Sequence, residues 1–87
     1  MVTDEQRLRV KQMLVEQLRL RMDPTEIDDD TQFFGEGLGL DSVDAIELVA
    51  AVESSFGVVI GNEEEAQKVL VDVDTLTKHI AANGGLA

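Results

Sequence analysis

Apolar residues recur at helical spacing in three stretches of the chain. In the first, Leu8, Leu14 and Leu18 repeat, with Val10 and Met13 beside them. Thr3 or Asp4 is placed to cap this stretch, so the spacing predicts a helix running to about Arg21. Asp23-Pro24 ends it, because the residue before a proline avoids the helical region. The second stretch begins at Asp41 or Ser42 and stops near Gly57, a residue suited to a left-handed cap. The third places Val73, Leu76 and Ile80 on one face, with Asp72 as its cap and Asn83-Gly84-Gly85 as its end. Asn62 can cap a shorter helix through Glu63-Glu64-Glu65-Ala66. Val58-Val59-Ile60 is apolar enough for a strand, but no other segment offers it a partner. It is expected as extended chain lying on the core. The expected fold is all-α: a small four-helix bundle, three longer helices and one short, in a single domain over residues 1–87.

Between the first two helices lies a long loop, roughly 22 to 41, rich in Asp and Gly. Ile27, Phe33, Phe34, Leu38 and Leu40 punctuate it. A connection of this length is functional or is pinned by its apolar residues.

The second helix has two different faces. Successive residues turn by about 100°. On that spacing Ala45, Leu48, Val49, Val52 and Phe56 form the core stripe. A second stripe, on the side of Ser42, carries Val43, Ile46, Glu47, Ala50, Glu53 and Ser54. Small apolar residues mixed with carboxylates suit a docking surface, with contact for affinity and charge for steering. The plain alternative is an ordinary solvated face, since scattered exposed apolar residues are normal.

Charge narrows the partners. Eighteen acids against seven bases give the 87-residue chain a net charge of −11. Such a surface repels nucleic acid and anionic membrane and favours basic partners. No apolar run approaches the ~18 residues that span a bilayer, and Met1-Val2-Thr3-Asp4-Glu5 lacks the features of a signal peptide. A monomeric cytoplasmic protein without membrane insertion is expected. There is no cysteine, so any thiol chemistry must come from an attached group.

Ser42 is the candidate for chemistry. It sits between Asp41 and Asp44 at the predicted helix start, after Gly35-Glu36-Gly37-Leu38-Gly39-Leu40. A helix N-terminus suits a phosphate ester, through its unpaired N–H groups and its dipole. Taken alone, Asp41-Ser42 reads better as a helix cap and nothing more. A nucleophilic serine needs a base within reach. The only histidine, His79, is expected on the surface of the last helix, and the Gly-x-Ser-x-Gly elbow is absent. Ser42 therefore reads as a residue modified by another protein, and the chain is not expected to be an enzyme. The glycines at 35, 37 and 39 lack the strand, lysine and spacing of a nucleotide loop. A calcium loop begun at Asp30 would have Gln32 and Phe34 at two ligand positions, so no dedicated metal site is expected.

The stretch Leu38-Gly39-Leu40-Asp41-Ser42-Val43-Asp44-Ala45-Ile46-Glu47-Leu48-Val49 closely resembles the signature of acyl carrier proteins. Glu16-Gln17-Leu18, Phe34, Glu53-x-x-Phe56-Gly57, Glu63-Glu64-Glu65-Ala66 and Val73-x-x-Leu76-x-x-x-Ile80 extend the resemblance over nearly the whole chain. It implies that Ser42 takes a 4′-phosphopantetheine arm from coenzyme A through a phosphopantetheinyl transferase. Asp41, Val43, Asp44, Ile46, Glu47, Ala50 and Glu53 would meet partners, among them acyl-transferring or condensing enzymes with basic docking patches. Phe34, Val49, Val52, Phe56, Ile60, Leu76 and Ile80 would line a pocket for the acyl chain, held as a thioester. Fatty acid, lipid or polyketide-type biosynthesis is the implied setting. Ala50, Ser54, Ser55 and Gly61-Asn62 depart from the residues usual in carriers of primary fatty acid synthesis, and the loop from Phe33 to Leu40 resembles one common among specialised carriers. An aminoacyl or peptidyl carrier, an unmodified carrier-like interaction module and a divalent-cation regulator remain as alternatives.

Overall fold

In the computed structural model, which describes residues 2–86, local capping chemistry sets where each helix starts. Helix α1 spans Asp4–Leu18, α2 Ser42–Phe56, α3 Glu63–Val69 and α4 Val73–Ala82. Thr3, Asp41, Asn62 and Asp72 are extended N-caps, each accepting a backbone N–H from the first turn. Each such cap contributes about 1 kcal/mol. Among the described residues there is no strand, and the expected all-α bundle of three longer helices and one short one is what is seen.

Two boundaries differ from the sequence reading. The first helix ends at Leu18 rather than near Arg21. Arg19 takes a left-handed conformation, φ 53°, and the Leu20 N–H reaches back to the Val15 carbonyl at 3.1 Å. That closure gives the last turn an acceptor in use, though a side chain in the left-handed region costs roughly 1–2 kcal/mol. The short helix runs on to Val69, beyond Ala66. Gly57, also left-handed, caps α2 as expected.

One apolar core joins all four helices. Val10, Met13 and Leu14 of α1, Leu48, Ala51 and Val52 of α2, Val69 of α3, and Val73, Leu76 and Ile80 of α4 are buried in it. The α1 face is turned towards Val10 and Met13, so Leu8 and Leu18 are only half-buried. On α2 the buried strip includes Ala51, which the sequence reading missed, while Ala45, Val49 and Phe56 are half-buried. The reason is the shortness of α3, which leaves the Ala45–Val49 side of α2 incompletely covered. Val58 and Ile60 are buried and Val59 is 63% exposed, the alternation of an extended segment laid on the core.

The long loop is anchored rather than slack. A 3-10 turn at Pro24–Glu26 leads to Ile27, and Ile27 and Phe33 are buried. The Phe33 N–H donates to the Val71 carbonyl at 2.8 Å, and the Asp74 N–H to the Asp29 carbonyl at 3.0 Å. Lys11 pairs with Asp29 at 2.8 Å, and Arg7 bridges Asp4 and Asp74. The acidic run thus ties the loop to α1 and α4. The strand-like return Phe33–Leu40 requires glycine at 37. A Cβ there would lie 1.8 Å from the Gln32 carbonyl oxygen, which accepts the Leu38 N–H at 2.8 Å. This tight turn delivers the chain to Asp41.

Candidate functional site

Ser42 is the first residue of α2 and is exposed. The helix start is held from both sides. The Asp44 N–H donates to Asp41 Oδ1 at 3.0 Å, and the Asp41 N–H donates to Asp44 Oδ2 at 3.1 Å. A helix leaves four N–H groups without intrahelical acceptors at its start. This reciprocal cap takes two, at 41 and 44, and leaves those of Ser42 and Val43 for solvent or for an anion. An ester of Ser42 Oγ carrying a phosphate would sit at the positive end of the helix dipole, worth ~0.3–1 kcal/mol, with the Asp41 and Asp44 carboxylates beside it opposing that gain.

Among the described residues, the Ser42 side chain makes no hydrogen bond to a base. His79 is not on the surface as expected but has a side chain only 19% exposed. It lies against α3 because its ring fills the α3–α4 junction, with Nε2 3.4 Å from Glu65 Oε1 and no well-formed hydrogen bond. Glu65 Oε2 in turn accepts the Gly61 N–H at 3.1 Å.

From Ser42 the exposed ridge of α2 runs through Val43, 60% exposed, and Ile46, 71% exposed. Glu47, Ala50 and Glu53 continue it, all exposed, while Asp44 is half-buried in its capping role. Two flanks border this ridge. On one, a groove of about 490 Å³ opens at Ser42 between α2 and the start of α3. Ala45, Ile46, Val49, Ile60 and Ala66 make it mainly apolar, with Asn62 and Glu63 at its rim. A smaller cavity of about 210 Å³ adjoins it, sharing Ala45, Glu63 and Ala66 and reaching Phe34 and Leu70. On the other flank, a cleft of about 550 Å³ separates α2 from the end of α1. Its walls are Gln17, Leu18 and Arg19 on one side and Glu47, Ala50, Ala51 and Ser54 on the other.

The seven expected pocket residues belong to one apolar cluster, but only some of them line the open groove beside Ser42. Val49 and Ile60 line the groove beside Ser42, and Phe34 lines the adjoining cavity. Val52, Leu76 and Ile80 have 0% exposure in the packed core. Phe56 lies at the far end of α2, under the Arg9 guanidinium at 5.8 Å. Groove residues Ala45, Asn62, Glu63 and Ala66 were not assigned to a pocket by sequence. Small size at 45 and 66 is their only trace there, and it gains meaning only once α3 is placed.

Comparison with known proteins agrees with this geometry. The family model described as the phosphopantetheine attachment site matches residues 9–64. An acyl carrier protein of Wolinella succinogenes is 38% identical over 74 residues, which cover 85% of this chain and 91% of that protein. The chain belongs to the acyl carrier proteins, which are carriers rather than catalysts and hold a covalently attached 4′-phosphopantetheine.

Proposed function

We propose that Ser42 is the attachment point and that the protein carries acyl intermediates as thioesters between enzymes of fatty acid, lipid or polyketide-type biosynthesis in the cytoplasm. The observation that carries this reading is the apolar groove opening at an exposed serine on a capped helix start. The prosthetic group supplies the terminal thiol that the cysteine-free chain lacks.

Each residue then has a definite task. Asp41 and Asp44 hold the first turn of α2, and so the angle at which Ser42 leaves it. The Ser42 and Val43 N–H groups face an anionic ester without a competing side chain. Ala45, Val49, Ile60 and Ala66 offer apolar wall to an acyl chain that starts beside Ser42. Val43, Ile46 and Ala50 give partners an apolar footing, and Glu47 and Glu53 steer basic surfaces towards it.

The test is intact mass after incubation with coenzyme A and a phosphopantetheinyl transferase. The parent gains the mass of one arm. Ser42→Ala gains none and keeps its helical circular dichroism. A full gain on the Ala variant would overturn the assignment. Reversing Glu47 to Lys slows transfer in a salt-dependent way, whereas the same reversal at Glu16 on α1 does little. Equal effects at both positions would mean that net charge alone is read.

A further inference from the structure

Most of the cations of this acidic chain are engaged internally. Arg7 and Lys11 hold Asp4, Asp29 and Asp74, and Lys68 and Lys78 pair with Glu64 and Asp74. Arg9 lies over Phe56. Among the described residues, Arg19 and Arg21 make no ion pair. Arg19 is also the one non-glycine described with positive φ. Glycine would close that turn without strain. Strain of this kind is held by the surrounding structure and clusters at functional sites. Arg19 lines the α1–α2 cleft that Glu47 also lines, and arginine brings to it a side chain ending in a guanidinium. Ala50, Ala51 and Ser54 line it with small side chains, leaving room for an incoming one. A guanidinium fork fits a carboxylate in two-point contact.

We propose that this cleft is a docking element for the phosphopantetheinyl transferase: a carboxylate side chain of that enzyme enters it and pairs with Arg19, while the enzyme's basic side chains meet Glu47 and Glu53. The inference rests on the carrier reading above. The transferase is the partner indicated because it acts on Ser42 Oγ itself, so its surface must lie along the first turns of α2. Glu47 is about 7–8 Å along the helix axis from Ser42, well inside a footprint of ~800 Å². A uniformly acidic helix can slide along a basic patch. One inverted charge pair fixes the register.

The proposal predicts a change of opposite sign to simple steering. Arg19→Glu and Arg21→Glu each make the chain more negative by the same amount. If only net charge draws in a basic enzyme, both variants load as fast as the parent or faster. If Arg19 meets a carboxylate, Arg19→Glu alone lowers kcat/KM, by about ten-fold, through KM. The probe is the transferase with coenzyme A, with the product followed by intact mass at low and high salt. Arg19→Gly adds a second measurement. It should also slow loading, yet raise Tm by a few degrees, which separates a binding role from a structural one. Equal behaviour of Arg19→Glu and Arg21→Glu would overturn the proposal, as would unimpaired loading of Arg19→Gly. If the parent itself gained no mass, the carrier reading would fall, and this inference with it. Loading of the parent with an indifferent Arg19 would remove the inference alone.

Discussion

Acylation of the arm should raise the melting temperature, and the place of the groove determines which substitutions remove the gain. Consider an eight-carbon acyl chain laid between α2 and α3 from Ser42. Burying a methylene fully is worth about 0.8 kcal/mol. The groove is open along one side, so about half of that is realised, or ~2–3 kcal/mol over six methylenes. Ordering the chain returns roughly half of this, leaving about 1 kcal/mol. For a domain of this size that is a rise of about 4–8 °C. Ala66→Leu adds bulk to the groove wall and should cut the rise to about 2 °C or less. Val52→Phe acts elsewhere, since Val52 is at 0% exposure in the core. It should lower Tm of the arm-only and acylated forms together, by an overpacking cost of about 1–3 kcal/mol, and leave their difference intact. The assay is calorimetric melting of arm-only and octanoyl forms in the three backgrounds. A rise that survives Ala66→Leu but vanishes in Val52→Phe would place the cargo in the core and refute this account. No rise in the parent would mean that the chain stays in solvent.

Three further outcomes rest on the fold. Gly37→Ala should cost roughly 2–4 kcal/mol, because its Cβ meets the Gln32 backbone, which no rotamer change can relieve. Gly35→Ala, with φ +70° and no near neighbour, should cost only about 1–2 kcal/mol, and equal losses in thermal melts would contradict the close approach. Lys78 first, and then Arg7, hold the Asp74 carboxyl below the usual carboxylate range. Its contribution is therefore complete above ~3.9 and lost as pH falls through the lowered value, so Asp74→Asn should flatten the melting curve below about pH 4. Salt should raise Tm at pH 7, since screening of eighteen acids outweighs the weakening of the few ion pairs, and a flat response from low to high salt would count against that balance.

The helix starts were legible because each rests on one residue's side chain. Thr3, Asp41, Asn62 and Asp72 announce themselves by their type and by the helical pattern just after each of them. The end of α1 was not, because Arg19 is an unusual residue for a left-handed cap and because Leu20 and Met22 continue the apolar spacing beyond it. Ser42 and the exposed ridge came from the motif and from helical geometry within one element. The groove depends on how far α3 stands from α2, a tertiary distance with no counterpart in local periodicity. Val52, Leu76 and Ile80, expected to line the apolar interior, are buried in the core and do not border the groove.

The cap shared by Asp41 and Asp44 has a kinetic consequence. Both of its hydrogen bonds are made by the chain alone, so the first turn of α2 needs no attached group in order to form. On the proposed reading of Ser42, folding does not wait for the transferase, and the exposed ridge of α2 is already formed on the unmodified chain. On that reading, unmodified molecules should compete with loaded ones for the same partner surfaces whenever synthesis of the chain outruns its modification. Flux should depend on the ratio of modified to unmodified protein rather than on the total amount.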